Sequence, residues 1–139
     1  MTVHVTPFRQ SLPLRVPEWI MAAMMLHWGW NVLSNPEMFS LSPSFDGMTK
    51  LWSQAIWGQL AMALGLIGLV GLAINGHWRP TPAIRGASSF GRMLLWLQIW
   101  VGFIAAGSPT TGTTIYLGLT LLEFWNIYRA GGDLALALK

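Results

Sequence analysis

The sequence predicts an all-α polytopic membrane protein, four transmembrane helices in a small bundle that make up a single membrane domain over residues 1–139. Three observations carry this. Hydrophobic residues make up 53% of the chain and charged residues 9%, where a soluble domain carries about 25% charged residues, so there is too little charge to coat a water-facing surface. The stretch LAMALGLIGLVGLAI, from Leu60 to Ile74, has no charged side chain and extends back to Leu51. That reaches the roughly 20 apolar residues a helix needs to cross the hydrocarbon layer. Finally, Lys and Arg alternate between successive connections, as an even number of crossings requires.

The first span, residues 17–33, is interrupted by Glu18, His27 and Asn31. Arg9 and Arg15 precede it as they would a secretory signal, but HWGWNVLSNPE has no small-residue cleavage pattern, and a retained anchor is expected. The second span is 51–74, the third 90–106 and the fourth 113–128. The connections SNPEMFSLSPSFDGMTK, INGHWRPTPAIRGASS and GSPTTG are rich in the Pro, Gly, Ser and Asn of turns. The apolar side chains of the first, Met38, Phe39, Leu41, Phe45 and Met48, suit a flap lying on the bilayer or docking on a partner.

Arg9 and Arg15 lie before the first span, Arg79 and Arg85 in the middle connection with Arg92 just inside the third span, and Arg129 and Lys139 after the fourth; only Lys50 lies on the other side. The rule that positive loops stay inside then places both termini and the middle connection in the cytoplasm of an inner membrane. Arg79, Arg85 and the interfacial Trp78 are the expected topology anchors. Asn75 and Gly76 end the second helix, and Pro80 and Pro82 interrupt the connection.

Residues three and four apart share a helix face. On the second span Gln54, Gly58, Ala61, Gly65 and Gly68 form a small-residue stripe suited to close helix packing. Gly91, Leu95, Gln98, Gly102 and Ala105 form a similar stripe on the third, which turns Arg92, Trp96, Trp100 and Phe103 the other way. Trp96 and Trp100 are therefore expected at a subunit contact, and the lipid bilayer and a homo-oligomer or larger membrane complex are the expected partners. On the fourth span Tyr116, Thr120 and Glu123 align with Thr113. With a rise of about 1.5 Å per residue, His27, Gln98 and Glu123 fall near mid-membrane, and with Tyr116 and Thr120 they form an expected intramembrane polar cluster. A lone carboxylate in hydrocarbon is costly, so Glu123 is expected neutral, paired or beside water, with His27 as the candidate partner. A proton or ion path through Glu123 is the alternative to a packing role.

Little else in the sequence suggests chemistry. MAAMMLH, Met21 to His27, holds thioether and imidazole groups that would suit Cu(I), but on different helix faces. His27 and His77 differ too much in depth for a shared haem, and no cofactor or metal is expected, with a redox subunit binding copper, or haem through one histidine, as the third alternative. There is no phosphate loop, HExxH or GxSxG motif. Glu18, Glu37, Asp46 and Asp133 are read as caps and solvated charges rather than catalytic acids. The net charge of +3 is scattered, which argues against nucleic acid. The absence of cysteine excludes disulfides and thiolate sites.

INGHWRPTPAIR, from Ile74, and EFWNIYRAGGD, from Glu123, resemble stretches of small four-span membrane proteins of uncharacterised role in tailed-phage genomes. The resemblance implies a phage setting: a holin-like lysis protein, an envelope modifier or a virion membrane component.

Overall fold

The structure is a computed structural model that describes residues 15–75, 80–107 and 110–139. Among these residues it is all helical. Four long helices run as α1 (Val16–Ser34), α3 (Gln54–Ala73), α4 (Thr81–Ala105) and α5 (Thr111–Ala137), and a 3-10 turn (Pro43–Phe45) leads into the short α2 (Asp46–Leu51) between the first two. Two of the long helices, α3 and α4, are long and apolar enough in composition to cross a membrane.

The helix ends follow local chemistry. Pro17 lies in the first turn of α1, where no amide hydrogen bond is lost. At its other end the Asn35 amide donates to the Asn31 carbonyl at 3.1 Å and the Asn35 side chain donates to the same oxygen at 2.8 Å, before Pro36. Residues 52 and 53 are extended and separate α2 from α3, so the apolar stretch expected from residue 51 becomes a helix only at Gln54. The third helix begins at Thr81, nine residues before the expected start, because Pro82 occupies its first turn rather than interrupting it. The fourth runs on to Ala137, nine residues past its expected end.

The strongest packing joins α1 to α3 and α4 to α5, and α3 against α4 unites the two pairs. Between α1 and α3 the backbones touch. A Cβ on Gly65 would lie 2.5 Å from the Leu26 amide nitrogen and 2.8 Å from the Ala22 carbonyl, and one on Gly29 would lie 2.8 Å from the Gly58 carbonyl. The α3 stripe of Gly58, Ala61, Gly65 and Gly68 is buried along this seam. Gly91 approaches α3 at Leu64. Gly102 faces a different neighbour: its missing Cβ makes room for the Ser44 carbonyl in the 3-10 turn.

The first connection folds inward rather than lying outside as a flap. Phe39, Phe45 and Met48 are buried, and Phe39 stacks on Phe45 with ring centroids 4.4 Å apart and meets Trp28 at 6.3 Å. Gln54 holds this cap in place. It accepts from the Phe39 amide at 2.9 Å and donates to the Val32 and Asn35 carbonyls at 2.7 Å each. The Trp57 indole donates to the Met48 carbonyl at 2.9 Å. Leu41 alone of the apolar side chains named in this connection stays fully outside.

Candidate functional site

The charged chemistry of this chain lies inside the bundle, on one face of α4. Arg85, Ser88, Ser89, Arg92, Leu95, Trp96 and Ile99 recur at spacings of three and four, and all are buried. The helix α5 lies antiparallel against this face in one register, with Gly86 opposite Ala130, Arg92 opposite Glu123 and Phe103 opposite Gly112.

Glu123 is 0% exposed and Arg92 1%. Arg92 Nε and Nη2 donate to the two carboxylate oxygens at 2.5 and 3.1 Å, a bidentate pair. Its remaining donors reach the Ser88 hydroxyl at 3.3 Å and the Ser89 hydroxyl at 2.8 Å. Asn126 Nδ2 adds a bond to Glu123 Oε2 at 3.1 Å. The guanidinium lies directly over Gly68 of α3, where any Cβ would collide with Nη1. Gly68 thus makes space for a cation as well as for a helix.

Two turns away on α4, Arg85 anchors a second network. Its Nε and Nη2 donate to Glu18 of α1 at 2.8 and 2.7 Å, and Nη1 donates to Asn75 at 3.1 Å and to Asp133 of α5 at 2.9 Å. Arg15, just ahead of α1, donates to the same Asp133 oxygen at 3.1 Å. Burial, reinforced by repulsion from Arg85, lowers the Arg15 guanidinium below its ordinary value, and Asp133 and Glu18 oppose that shift. Arg15 and Arg85 face Glu18 and Asp133, with Arg129 close enough to repel Arg15, and the network ties all four long helices together at one level. The Arg92–Glu123 pair, about 10 Å further along α4, balances one cation with one anion.

This arrangement corrects several expectations. Glu123 pairs with Arg92 and not with His27, which is exposed and bonds within its own helix to Asn31 at 3.1 Å. Gln98 is half-buried beside Gly47, Thr120 donates to the Tyr116 carbonyl one turn back, and Tyr116 packs on Trp96 and Phe103. The five residues therefore do not form one polar cluster. Trp96, at 2% exposure, is a core residue and not a subunit contact, and Trp100 is half-buried. Arg85, at 2%, is a buried network residue rather than a loop charge, and Glu18, at 2%, is its partner rather than a solvated cap. The remaining anchors, Arg79 and Trp78, lie outside the described residues, as do His4 and His77.

The reason for these corrections is physical. The small-residue stripe lies at the edge of the buried face of α4 and not at its centre: α4 packs on α3, α5 and the 3-10 turn along an arc centred on Arg92 and Ile99 that takes in Leu95 and Gly102, while Gly91 and Gln98 are half-buried and Ala105 is exposed. The missed signal was the spacing itself. Arg85 and Arg92 lie seven apart on one helix, and Glu123, Asn126 and Asp133 lie three and seven apart on another, an antiparallel match of charges.

Among the described residues no group of three or more His, Asp or Glu side chains could hold a metal ion. Of the methionines in MAAMMLH, Met21 and Met25 are buried packing residues and Met24 faces outward. Comparison with known protein families, with curated proteins and with solved structures finds no match.

Proposed function

We propose that this chain is a four-span inner-membrane protein without catalytic chemistry of its own, with both termini in the cytoplasm, acting as a rigid helical subunit of a larger membrane assembly. The single observation that supports it most is the inversion of polarity. None of the charged residues on the four long helices is exposed, whereas Ile20, Trp30, Leu66, Ile67, Leu94, Ile104, Leu121 and Phe124 are. A bundle in water has the opposite distribution, because Arg and Glu are almost never fully buried and the surface carries the charge. In lipid, ionisable groups face the bundle interior and pair. The exposed charges Glu37, Asp46, Lys50 and Lys139 all lie beyond the ends of the long helices.

The phage setting suggested by sequence resemblance belongs to the same proposal, with lysis, envelope modification and virion structure as its candidate roles. Trp96 no longer supplies a motive for self-association. The aromatic surface left for a partner is on α5, where exposed Trp125 and Tyr128 stack with centroids 5.7 Å apart beside Phe124. A proton path through Glu123 loses its motive, since Arg92 occupies both carboxylate oxygens.

Because the chain has no cysteine, single introduced cysteines report topology without background. Ser40→Cys and Thr110→Cys should react with a membrane-impermeant maleimide in intact spheroplasts, and Pro80→Cys and Lys139→Cys only after lysis. Labelling of all four in intact spheroplasts, or release of the protein by alkaline carbonate, would overturn the proposal.

A further inference from the structure

The contact between α1 and α5 is slight, and toward the end capped by the 3-10 turn the two helices part to leave a cavity of about 410 Å³. That volume lies in the range of pockets that enclose small molecules, roughly 300–1,000 Å³. Its inner wall is aromatic, formed by Trp28, Trp96, Phe103 and Tyr116. Met24, His27 and Ile115 stand at its open side, and all three are exposed.

Two features of this cavity are costly if nothing binds there. The indole N–H groups of Trp28 and Trp96, residues 92% and 98% buried, are sealed within its wall without a hydrogen-bond partner, so each meets the cavity only when its ring turns. The Tyr116 hydroxyl interacts with the Trp28 indole without closing a bond of good geometry. Buried donors are nearly always paired, and leaving one unmade costs about 1–3 kcal/mol. The second feature is at the mouth. His27 and Asn31 form a polar pair on the outward side of α1, about 10 Å from its end. In the membrane setting proposed above, that pair would face hydrocarbon.

We infer that this cleft is a lateral binding site for a membrane-soluble amphiphile whose apolar body fills the aromatic pocket and whose carbonyl oxygens accept from Trp28 and Trp96 as those rings turn toward it. The occupant needs acceptors because both orphan groups donate. It needs an apolar body because the walls are aromatic and aliphatic, and it enters from the bilayer because the pocket opens between two helices. The His27–Asn31 pair then meets the polar portion of the ligand instead of acyl chains. A bilayer supplies this chemistry from two sources, the ester carbonyls of a phospholipid and the ring carbonyls of a prenylated quinone. The inference rests on the membrane reading for the ligand's route of entry, but the site itself is tested in micelles, independently of topology.

The test is a titration of ¹⁵N-labelled protein in detergent micelles, followed by the indole N–H resonances of its nine tryptophans. Two probes are added separately: a decyl-substituted benzoquinone and a short-chain diacyl phosphatidylglycerol. The Trp28 and Trp96 signals, assigned from single Trp→Phe variants, should shift saturably with one probe while the exposed Trp30, Trp52 and Trp125 stay still. The probe that saturates identifies the source. Trp28→Phe keeps the aromatic wall and removes one donor, and should weaken binding up to about tenfold, since one hydrogen bond is worth about 0.5–1.5 kcal/mol and 1.4 kcal/mol is tenfold. Ile115→Trp changes an exposed position at the mouth and should abolish binding without disturbing the fold. The inference is overturned if neither probe gives a saturable shift, if all indoles move together without saturation, or if Ile115→Trp leaves binding intact.

Discussion

The Arg92–Glu123 pair is the sharpest place to test how this bundle is held. Replacing Glu123 by Leu leaves a guanidinium that is 1% exposed with only the Ser88 and Ser89 hydroxyls as partners. Removing one member of a buried ion pair costs about 3–5 kcal/mol, because the other charge stays buried and uncompensated. Replacing both, Arg92→Met with Glu123→Leu, removes the charge problem and leaves the two serines and Asn126 short of partners. Apolar replacement of a whole buried pair is often neutral or stabilising, so the double variant should lie within about 2 kcal/mol of the native protein. The coupling energy of the cycle is then at least about 2 kcal/mol. A neutral interhelical hydrogen bond in a membrane protein averages only about 0.6 kcal/mol, which makes the two cases separable. The assay is reversible unfolding in mixed micelles with rising SDS mole fraction, read by circular dichroism. A coupling energy below about 0.6 kcal/mol, or a Glu123→Leu variant no less stable than His27→Ala, would refute the ion-pair account.

Three other outcomes follow from the same geometry. Gly65→Val should destabilise by about 1–3 kcal/mol or more, since its Cβ meets backbone atoms of α1 that cannot rotate away; thermal melting in detergent reads this. Glu18→Ala should cost about 3 kcal/mol, because Arg85 keeps only Asn75 and a more exposed carboxylate. Asp133→Asn, at a side chain 36% exposed, should cost under about 1 kcal/mol, and equal losses in the two variants would contradict the network described. Phe39→Ala should remove about 3–5 kcal/mol and expose the Trp57 indole proton to exchange, while Leu41→Ala, at an 81% exposed side chain, should leave both unchanged.

The helical class, the general position of the four long helices and the packing stripe of α3 could be read from composition and spacing, because long apolar runs and recurrent glycines are local signals. The partner of Glu123 could not. Choosing between His27 and Arg92 requires knowing which helix α5 packs against, and the face of α4 that holds Arg92 also holds bulky aromatics that look lipid-facing in isolation. Depth alone put His27 and Glu123 at one level, but two residues at one depth on helices that barely touch do not meet. The segment INGHWRPTPAIR illustrates a second limit. Its prolines suggested a loop whose arginines mark the cytoplasm, yet Pro82 sits in a first helical turn and Arg85 points into the bundle, because a proline that ends one helix also suits the start of the next.

In the four-span reading proposed above, placing charge inside the bundle sets membrane insertion and folded stability against each other. Averaged hydropathy counts Glu18 against α1 and Glu123 and Asn126 against α5, although all three are buried and the outward sides of those helices carry Ile20, Trp30, Leu121, Leu122 and Phe124. On α1 the outward His27 and the half-buried Asn31 lower the average further, and only α3 and α4 are long and apolar enough to span by composition. For an isolated helix the inward charge is a real cost, since an acidic or basic residue at the helix centre opposes insertion by about 2.5–3.5 kcal/mol and Leu favours it by about 0.3–0.6. Glu123→Leu should therefore raise the insertion of α5 as a single segment by about 3 kcal/mol, while it lowers the stability of the assembled bundle by about 3–5 kcal/mol. A glycosylation-based insertion assay on the α5 segment and the micelle unfolding assay on the whole chain should move in opposite directions for this one substitution. If both improved, the carboxylate would be a burden to α5 with no compensating role in the fold, and the buried pair would not be what holds α4 to α5.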